Sequence, residues 1–134
     1  MTLVVDASAL IAAIAEQDAV GLWAEEALEG ERLAGPALLL AEGSNILRRL
    51  EHRGDLSRTD ATDAHRSLMR NRVSLLPFPP FADRVWELRE NLTSYDAWYV
   101  AIAEALDCPL VTLDLRLSRA PGPTCAFVTP PGEA

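Results

Sequence analysis

Two kinds of apolar pattern alternate along the chain and predict alternating strands and helices. Short continuous apolar runs, such as Leu3–Val5 and Leu110–Leu113, are typical of strands buried on both faces of a parallel sheet. Longer segments with apolar residues every three or four positions, such as 37–52 and 94–106, predict amphipathic helices. The alternation predicts an α/β fold of three layers, with helices on both faces of a central parallel sheet.

The order of the predicted elements gives about five strands and no internal repeat. We expect strands at residues 2–6, 32–35, 73–76, 109–113 and 126–128. We expect helices at residues 7–15, 18–29, 37–52, 58–71, 82–90, 94–106 and 115–119. A chain of 134 residues that is 49% apolar is long enough to bury one sizeable core. The sequence therefore predicts a single domain over residues 1–134.

Charge is distributed unevenly along the chain. The net charge of −8 argues against a nucleic-acid partner when it is taken alone. However, residues 48–72 carry seven arginines against four acids, whereas the rest carries five arginines against sixteen acids. All twelve basic residues are arginine, whose guanidinium suits bidentate contact with phosphate. The uneven charge favours a basic helical flank that meets phosphate over an ordinary solvated face.

Neither a membrane segment nor a secretory leader is expected. No apolar run is long enough to cross a bilayer, and no basic leader precedes an apolar core. Cys108 and Cys125 form no metal-type cluster and are expected to be reduced, partly buried thiols. We therefore expect a cytoplasmic protein without a membrane partner.

Four acidic residues stand where buried elements begin or end. Asp6 and Asp114 each follow a strand, while Glu42 and Asp96 lie at the starts of apolar helices. The carboxyl ends of parallel strands share one edge of the sheet, which is where α/β proteins bind ligands. Each acid also has a structural explanation, because Asp and Glu are common as helix caps and in first helical turns. All four together favour a common site.

These residues resemble the PIN-domain ribonucleases, and specifically the toxins of VapBC toxin–antitoxin pairs. The resemblance extends over nearly the whole chain, and its most specific parts are the Tyr-Asp-Ala helix and the Thr-x-Asp strand. It is carried by Val5-Asp6-Ala7-Ser8, by Glu42 with Asn45 and Arg49, by Tyr95-Asp96-Ala97, and by Thr112-Leu113-Asp114 with Arg116. It implies a PIN-like α/β/α domain, Mg²⁺- or Mn²⁺-dependent endoribonuclease activity, a homodimer, and inhibition by a small VapB-like antitoxin.

The chemistry of the four acids agrees with this implication. A phosphodiester is an anion and is repelled by bare carboxylates, whereas oxygen ligands select hard cations such as Mg²⁺ or Mn²⁺. We expect Asp6 and Asp96 to be the principal direct ligands. Asp114 and Glu42 complete the catalytic site directly or through waters. If two ions bind, they lie about 4 Å apart and clamp the attacking and leaving oxygens.

Five further residues are candidates for support or substrate contact. Ser8 and Thr112 are placed to hydrogen-bond a ligand water or a carboxylate, and Asn45 lies one helical turn beyond Glu42. Arg49 and Arg116 are the candidates for RNA phosphate contact. For each of the five, an ordinary structural or surface role is about equally compatible with the sequence.

Other protein classes also place acids at the ends of strands. A phosphotransfer receiver domain requires a lysine, which the chain lacks, and a haloacid-dehalogenase phosphatase requires Asp where this chain has Ser8. A non-catalytic PIN-like module that binds RNA or an antitoxin is the remaining alternative. The histidines are expected on helix surfaces. Trp98 and Tyr99, like Leu47 and Leu50, are expected to serve the core or an interface.

Overall fold

The computed structural model describes residues 1–132 and contains one parallel sheet of five strands. The strands are β1 (Thr2–Val5), β2 (Arg32–Pro36), β3 (Val73–Leu76), β4 (Leu110–Val111) and β5 (Phe127–Val128). Their order across the sheet is β3-β2-β1-β4-β5, so β1 lies in the centre. Val4 pairs with Ala34 on one side and with Leu110 on the other. The uninterrupted apolar run of β1 follows from this central position, where side chains on both faces are buried.

Seven α-helices connect and cover the strands in the described part of the chain. They are α1 (Ala7–Ala15), α2 (Ala19–Leu28), α3 (Leu39–His52), α4 (Arg58–Arg70), α5 (Ala82–Glu87), α6 (Ser94–Leu106) and α7 (Leu115–Arg119). Helix α6 packs across β1, β2 and β4, whereas α1 to α4 pack against one another. The predicted α/β fold with a five-stranded parallel sheet is confirmed. Within residues 1–132, no helix has both the length and the hydropathy that a membrane span requires.

The structure differs from the predicted elements mainly at their ends. Strand β4 ends at Val111 rather than Leu113, because the Thr112 hydroxyl accepts the N–H of Asp114 and turns the chain out of the sheet. Helix α5 ends at Glu87 rather than at residue 90, since the N–H of Leu88 already bonds to earlier carbonyls and tightens the last turn. A short 3-10 helix over Pro79–Phe81 lies between β3 and α5.

The four residues that were expected to serve either the core or an interface lie in the core. Leu47, Leu50 and Trp98 are all buried, and so is the ring of Tyr99. Trp86 behaves differently: it is 66% exposed, and the Arg89 guanidinium lies 4.4 Å from its ring centroid. Helices α3 and α6 therefore use their apolar faces inside this chain, where α3 packs against α1 and α4 and α6 packs against the sheet.

Candidate functional site

The order of the strands creates a crevice at the carboxyl ends of β1 and β4. From β1, the chain adds β2 and β3 on one side and β4 and β5 on the other. The strand order thus reverses between β1 and β4, and at such a point the connections leave a crevice for ligands. Asp6 follows β1 directly, and Asp114 caps α7 just after β4. Both aspartates therefore reach the same edge of the sheet, as predicted.

An open cleft of about 310 Å³ lies at this edge, and we call it the strand-end cleft. Its lining contains all four acids proposed from the sequence, which come from four separate segments of the chain. The lining residues are Asp6, Ala7, Ser8, Glu42, Asn45, Ile46, Arg49, Asp96, Tyr99 and Asp114. The remaining two candidates, Thr112 and Arg116, do not line the cleft.

Asp6 is held by donors on both of its carboxylate oxygens. Its Oδ1 accepts the Ser8 hydroxyl at 2.7 Å and the Ala9 N–H at 2.9 Å, and its Oδ2 accepts the Thr112 hydroxyl. Burial raises the pKa of Asp6, the three hydrogen bonds lower it, and the charge of Asp96 raises it, with a net upward shift. Asp6 is thus both the N-cap of α1 and a fixed carboxylate at the base of the cleft.

Thr112 connects the two aspartates that follow strands. Its buried hydroxyl donates to Asp6 and accepts the backbone N–H of Asp114 at 2.9 Å. The Asp114 carboxylate itself is exposed, and its Oδ1 caps α7 by accepting the N–H groups of Arg116 and Leu117. Thr112 therefore holds the Asp6 carboxylate and the backbone of Asp114 without lining the cleft itself.

Asp96 enters the cleft from the first turn of α6. The Thr93 hydroxyl caps this helix by accepting the Asp96 N–H at 3.2 Å, which is one of the two hydrogen bonds of a capping box. The carboxylate is half-buried, and burial followed by the charge of Asp114 raises its pKa, against the lowering effect of the Thr93 hydrogen bond. The capping geometry and the position in the cleft coexist at this residue.

Glu42 approaches from the opposite side, in the first turn of α3. Its Oε1 accepts the hydroxyl of Tyr99 at 3.0 Å. Burial raises the pKa of Glu42, the Tyr99 hydrogen bond lowers it, and the charges of Asp6 and Asp96 raise it, with a net upward shift. The three carboxylates with raised pKa values therefore influence one another across a single cleft.

Gly43 allows α3 to come close enough for this arrangement. A Cβ atom at this position would lie 2.9 Å from a methyl group of Leu68 and 3.4 Å from one of Ile11. A larger residue would require the Leu68 side chain to move, so the glycine allows close packing of α3 against α4 and α1. The glycine beside Glu42 thus contributes to the site through packing.

Tyr99 is the residue of the cleft that the sequence prediction assigned only to the core or an interface. Its ring is buried as expected, but its hydroxyl reaches the cleft and holds Glu42. The available signal was its spacing, since Tyr99 lies three residues after Asp96 and so on the same side of α6. Asn45 lines the cleft as an exposed side chain, while the hydrogen bond on Glu42 comes from Tyr99.

The two candidate arginines have different positions. Arg49 is exposed on α3 and lines the strand-end cleft. Arg116 is exposed on α7, where its backbone N–H bonds to Asp114. Arg49 is therefore at the cleft itself, and Arg116 is next to one of its acids.

The carboxylates fit a hydrated divalent cation better than a tightly coordinated one. In residues 1–132, no three His, Cys, Asp or Glu side chains converge closely enough to form a metal-binding group. Mg²⁺ commonly keeps several waters and is bound through only one or two carboxylates. The oxygen-only lining and the open volume of the cleft are compatible with that mode, in which the other acids act through waters.

Solved structures share this fold. PAE2754 from Pyrobaculum aerophilum superposes with a TM-score of 0.68 at 27% identity, covering 95% of this chain and 83% of that one. VapBC2 from Rickettsia felis, solved bound to a DNA fragment from their promoter, gives a TM-score of 0.64 at 15% identity and covers 96% and 98%. The fold class is therefore that of these proteins.

The sequence comparisons define the family. The PIN domain model matches residues 3–123. VapC ribonuclease Mb0985 of Mycobacterium bovis is 41% identical over 129 residues, which cover 96% of this chain and 98% of that protein. Ribonuclease VapC1 of Mycobacterium tuberculosis is 40% identical over 125 residues, covering 91% and 92%. The chain belongs to the PIN-domain family. The resemblance to its VapC-type ribonucleases, stated above from the motifs, is confirmed by these relatives.

Proposed function

We propose that the protein is a divalent-metal-dependent endoribonuclease, the toxin of a VapBC pair. The observation that carries this proposal is the strand-end cleft, where four carboxylates from separate segments face one open volume. Burial raises the pKa values of three of them, and among residues 1–132 no salt bridge joins any of the four to a cationic side chain that would balance its charge. A hydrated Mg²⁺ or Mn²⁺ would supply that balance.

In this proposal, the acids divide into two groups. Asp6 and Asp96 hold the cation directly, and Glu42 and Asp114 complete the site directly or through waters. The cation, when bound, neutralises the phosphate and makes a bound water more acidic and hence a better nucleophile. Ser8 and Thr112 keep the Asp6 carboxylate in one orientation through their hydrogen bonds.

The substrate is held by groups outside the acidic set. Arg49 lies at the rim of the cleft, where its guanidinium can pair with an RNA phosphate. Arg116 serves the same purpose beside Asp114, and Asn45 orients a water or the Glu42 side chain. These roles are supported by position, since Arg49 and Asn45 both line the cleft.

The partners follow from the same proposal. The substrate is RNA, the inhibitor is a small VapB-like antitoxin that covers the cleft, and two copies of the chain associate as a homodimer. We place the protein in the cytoplasm, where a ribonuclease meets its RNA, and treat residues 1–134 as one PIN domain. Support comes from the VapC-type relatives and from the resemblance of the motifs.

A cleavage assay tests the proposal. Purified protein is incubated with a structured RNA in the presence of Mg²⁺, Mn²⁺ or EDTA, and the products are separated on a denaturing gel. We expect internal cleavage with either cation, none in EDTA, and recovery when Mn²⁺ is added in excess over the chelator. Cleavage that persists undiminished in EDTA contradicts the metal-dependent mechanism.

The same RNA and metal conditions distinguish a ribonuclease from a non-catalytic PIN-like module that only binds RNA. A PIN-like binding module would shift the RNA in a native gel without cutting it under any metal condition. Binding without cleavage, at protein concentrations that saturate the RNA, would favour that module over the enzyme.

A further inference from the structure

Tyr99 joins two helices that bring acids to the strand-end cleft. Its ring is buried at 3% exposure on α6, and its hydroxyl donates to Glu42 Oε1 on α3 at 3.0 Å. Asp96 lies three residues earlier on the same helix. The two residues are therefore neighbours on one helical face, and the phenol extends from that face to the acid on the opposite wall.

We propose, building on the proposed function, that Tyr99 is a positioning residue that holds the Glu42 carboxylate in register with Asp96. A glutamate side chain has three rotatable bonds, and Glu42 is only half-buried, so packing alone does not fix its carboxylate. The hydroxyl of a buried ring is a fixed donor. Its bond to Oε1 sets the orientation of the carboxylate.

The Tyr99 hydroxyl contacts Oε1, one of the two oxygens of the Glu42 carboxylate. Within residues 1–132, the other carboxylate oxygen, Oε2, accepts no hydrogen bond. Oε2 is the oxygen left to meet a cation or one of its waters.

The first test compares Tyr99→Phe with the wild type. Phenylalanine keeps the ring packing and removes only the hydroxyl, so the circular dichroism spectrum should not change. Supporting groups around a metal site typically contribute about 10- to 100-fold in metal affinity or activity, and we expect about a 10-fold loss of Mn²⁺ affinity by calorimetry. We expect kcat for RNA cleavage to fall similarly, with KM for RNA nearly unchanged.

The matched control is Tyr95→Phe. Tyr95 is the other tyrosine of the chain, lies beside Asp96, and is 59% exposed. The Tyr95→Phe substitution removes the same hydroxyl from the same helix. We expect Mn²⁺ affinity and kcat to stay within about twofold of wild type, as is usual for exposed positions. An equal loss in both variants would overturn the specific role of Tyr99.

A double-mutant cycle tests whether Tyr99 acts through Glu42. In a Glu42→Gln background, the loss of Mn²⁺ affinity from Tyr99→Phe should largely disappear, because the carboxylate that the hydroxyl positions is already gone. A loss as large in this background as in the wild type would assign Tyr99 a general structural role and overturn the proposal.

A metal-free crystal structure of Tyr99→Phe separates this proposal from the proposed function. We expect an unchanged backbone with the Glu42 carboxylate displaced from its wild-type position. Absence of RNA cleavage by the wild type would refute the ribonuclease without affecting this readout. A Glu42 carboxylate that keeps its position without the hydroxyl would overturn the role of Tyr99.

Discussion

The two ends of α6 carry carboxylates in opposite electrostatic surroundings. Asp96, in the first turn, faces other acids, and burial and the charge of Asp114 raise its pKa. Glu104, near the last turn, accepts Nε of Arg84 at 2.7 Å and a second guanidinium nitrogen at 3.0 Å. It also accepts the N–H and hydroxyl of Thr124. Burial favours a higher pKa for Glu104, but these hydrogen bonds outweigh it and lower the pKa.

The contrast shows how one chemical group serves two purposes on one helix. Glu104 has its cationic partner within the chain, and the same Arg84 side chain also donates to the Gly122 carbonyl. The pair therefore fastens the segment before β5 to α6. Asp96 has no such partner among its described neighbours, so its charge is available to a cation from solution.

Asp96→Asn should greatly reduce RNA cleavage, whereas Glu104→Gln should change it little. Loss of a cation ligand removes several kcal/mol of transition-state stabilisation, so we expect Asp96→Asn to cut RNA at least about 100-fold more slowly. Glu104→Gln should keep cleavage within a few-fold of wild type when folded protein is compared. Initial rates at saturating RNA, with folding checked by circular dichroism, decide the question. Comparable losses of cleavage in both variants would contradict the assignment of a cation-binding role to Asp96 and a structural role to Glu104.

Metal binding should stabilise the fold through the strand-end cleft. A cation at a hundredfold excess over its dissociation constant adds about 2.7 kcal/mol, which corresponds to roughly 5–15 °C in Tm for a domain of this size. We expect Mn²⁺ to produce this shift in the wild type and in Glu104→Gln. Asp6→Asn should greatly reduce the shift. A full Mn²⁺ shift in Asp6→Asn would mean that Asp6 is only a helix cap.

The same variant tests the pKa of Asp6 without metal. Its pKa is higher in the folded state than in the unfolded state. Above the folded-state pKa, the ionised carboxylate therefore lowers the free energy of unfolding. This destabilisation decreases as the pH falls and is absent below the ordinary pKa of 3.8. Asparagine keeps the N-cap but carries no charge. In EDTA at pH 7, thermal melts should therefore show Asp6→Asn a few degrees more stable than wild type. The difference should disappear near pH 4, and a less stable variant at pH 7 would contradict this.

RNA binding should depend on the arginines of α3 and its end. Replacing Arg48, Arg49 and Arg53 with alanine removes three exposed cations from the basic flank. If each meets a phosphate, the slope of log affinity against log salt should become shallower by roughly two units. Filter binding of RNA between low and moderate salt measures the slope. An unchanged slope would place the RNA elsewhere, and Arg32→Ala, outside this flank, is the control.

The smallest expected effect concerns the stability supplied by Glu104. Its pKa is lowered in the folded state, so its contribution is complete above the ordinary value of 4.5 and is lost as pH falls through the lowered pKa. We expect Glu104→Gln to lower the free energy of unfolding by about 1 kcal/mol at pH 7. Urea unfolding at pH 7 and at acidic pH should show a difference that becomes smaller as the Glu104 carboxylate is protonated. This pH dependence is opposite in sign to that of Asp6.

The fold was largely predictable because its pattern is local. Continuous apolar runs identified the buried strands, and helical spacing identified α3 and α6. The acids could be grouped because the carboxyl ends of parallel strands share an edge, which required no knowledge of side-chain contacts. Element ends were less predictable. The turn at Thr112 depends on a side-chain hydrogen bond that no hydrophobic pattern reveals.

Supporting contacts were not predictable to the same degree. Tyr99 and Trp98 are adjacent buried aromatics on α6, yet only the tyrosine reaches the cleft, and this depends on where α3 lies. The Arg84–Glu104 pair likewise joins residues 20 positions apart on different helices. Such contacts depend on three-dimensional packing: spacing places Tyr99 on the Asp96 side of α6, but it does not reveal the contact with Glu42.

The Thr112 hydroxyl has a consequence for how sequences of this type can diverge. It accepts a hydrogen bond from the backbone N–H of Asp114 and donates one to the carboxylate of Asp6, a residue 106 positions away. Among side chains of this size, only those of serine and threonine donate and accept through a single hydroxyl oxygen. The bond to position 114 needs only a backbone N–H, whereas the bond to position 6 needs an acceptor side chain. We therefore expect positions 6 and 112 to co-vary in an alignment of homologues, and a chain that loses the acid at position 6 should be free to lose the hydroxyl at position 112.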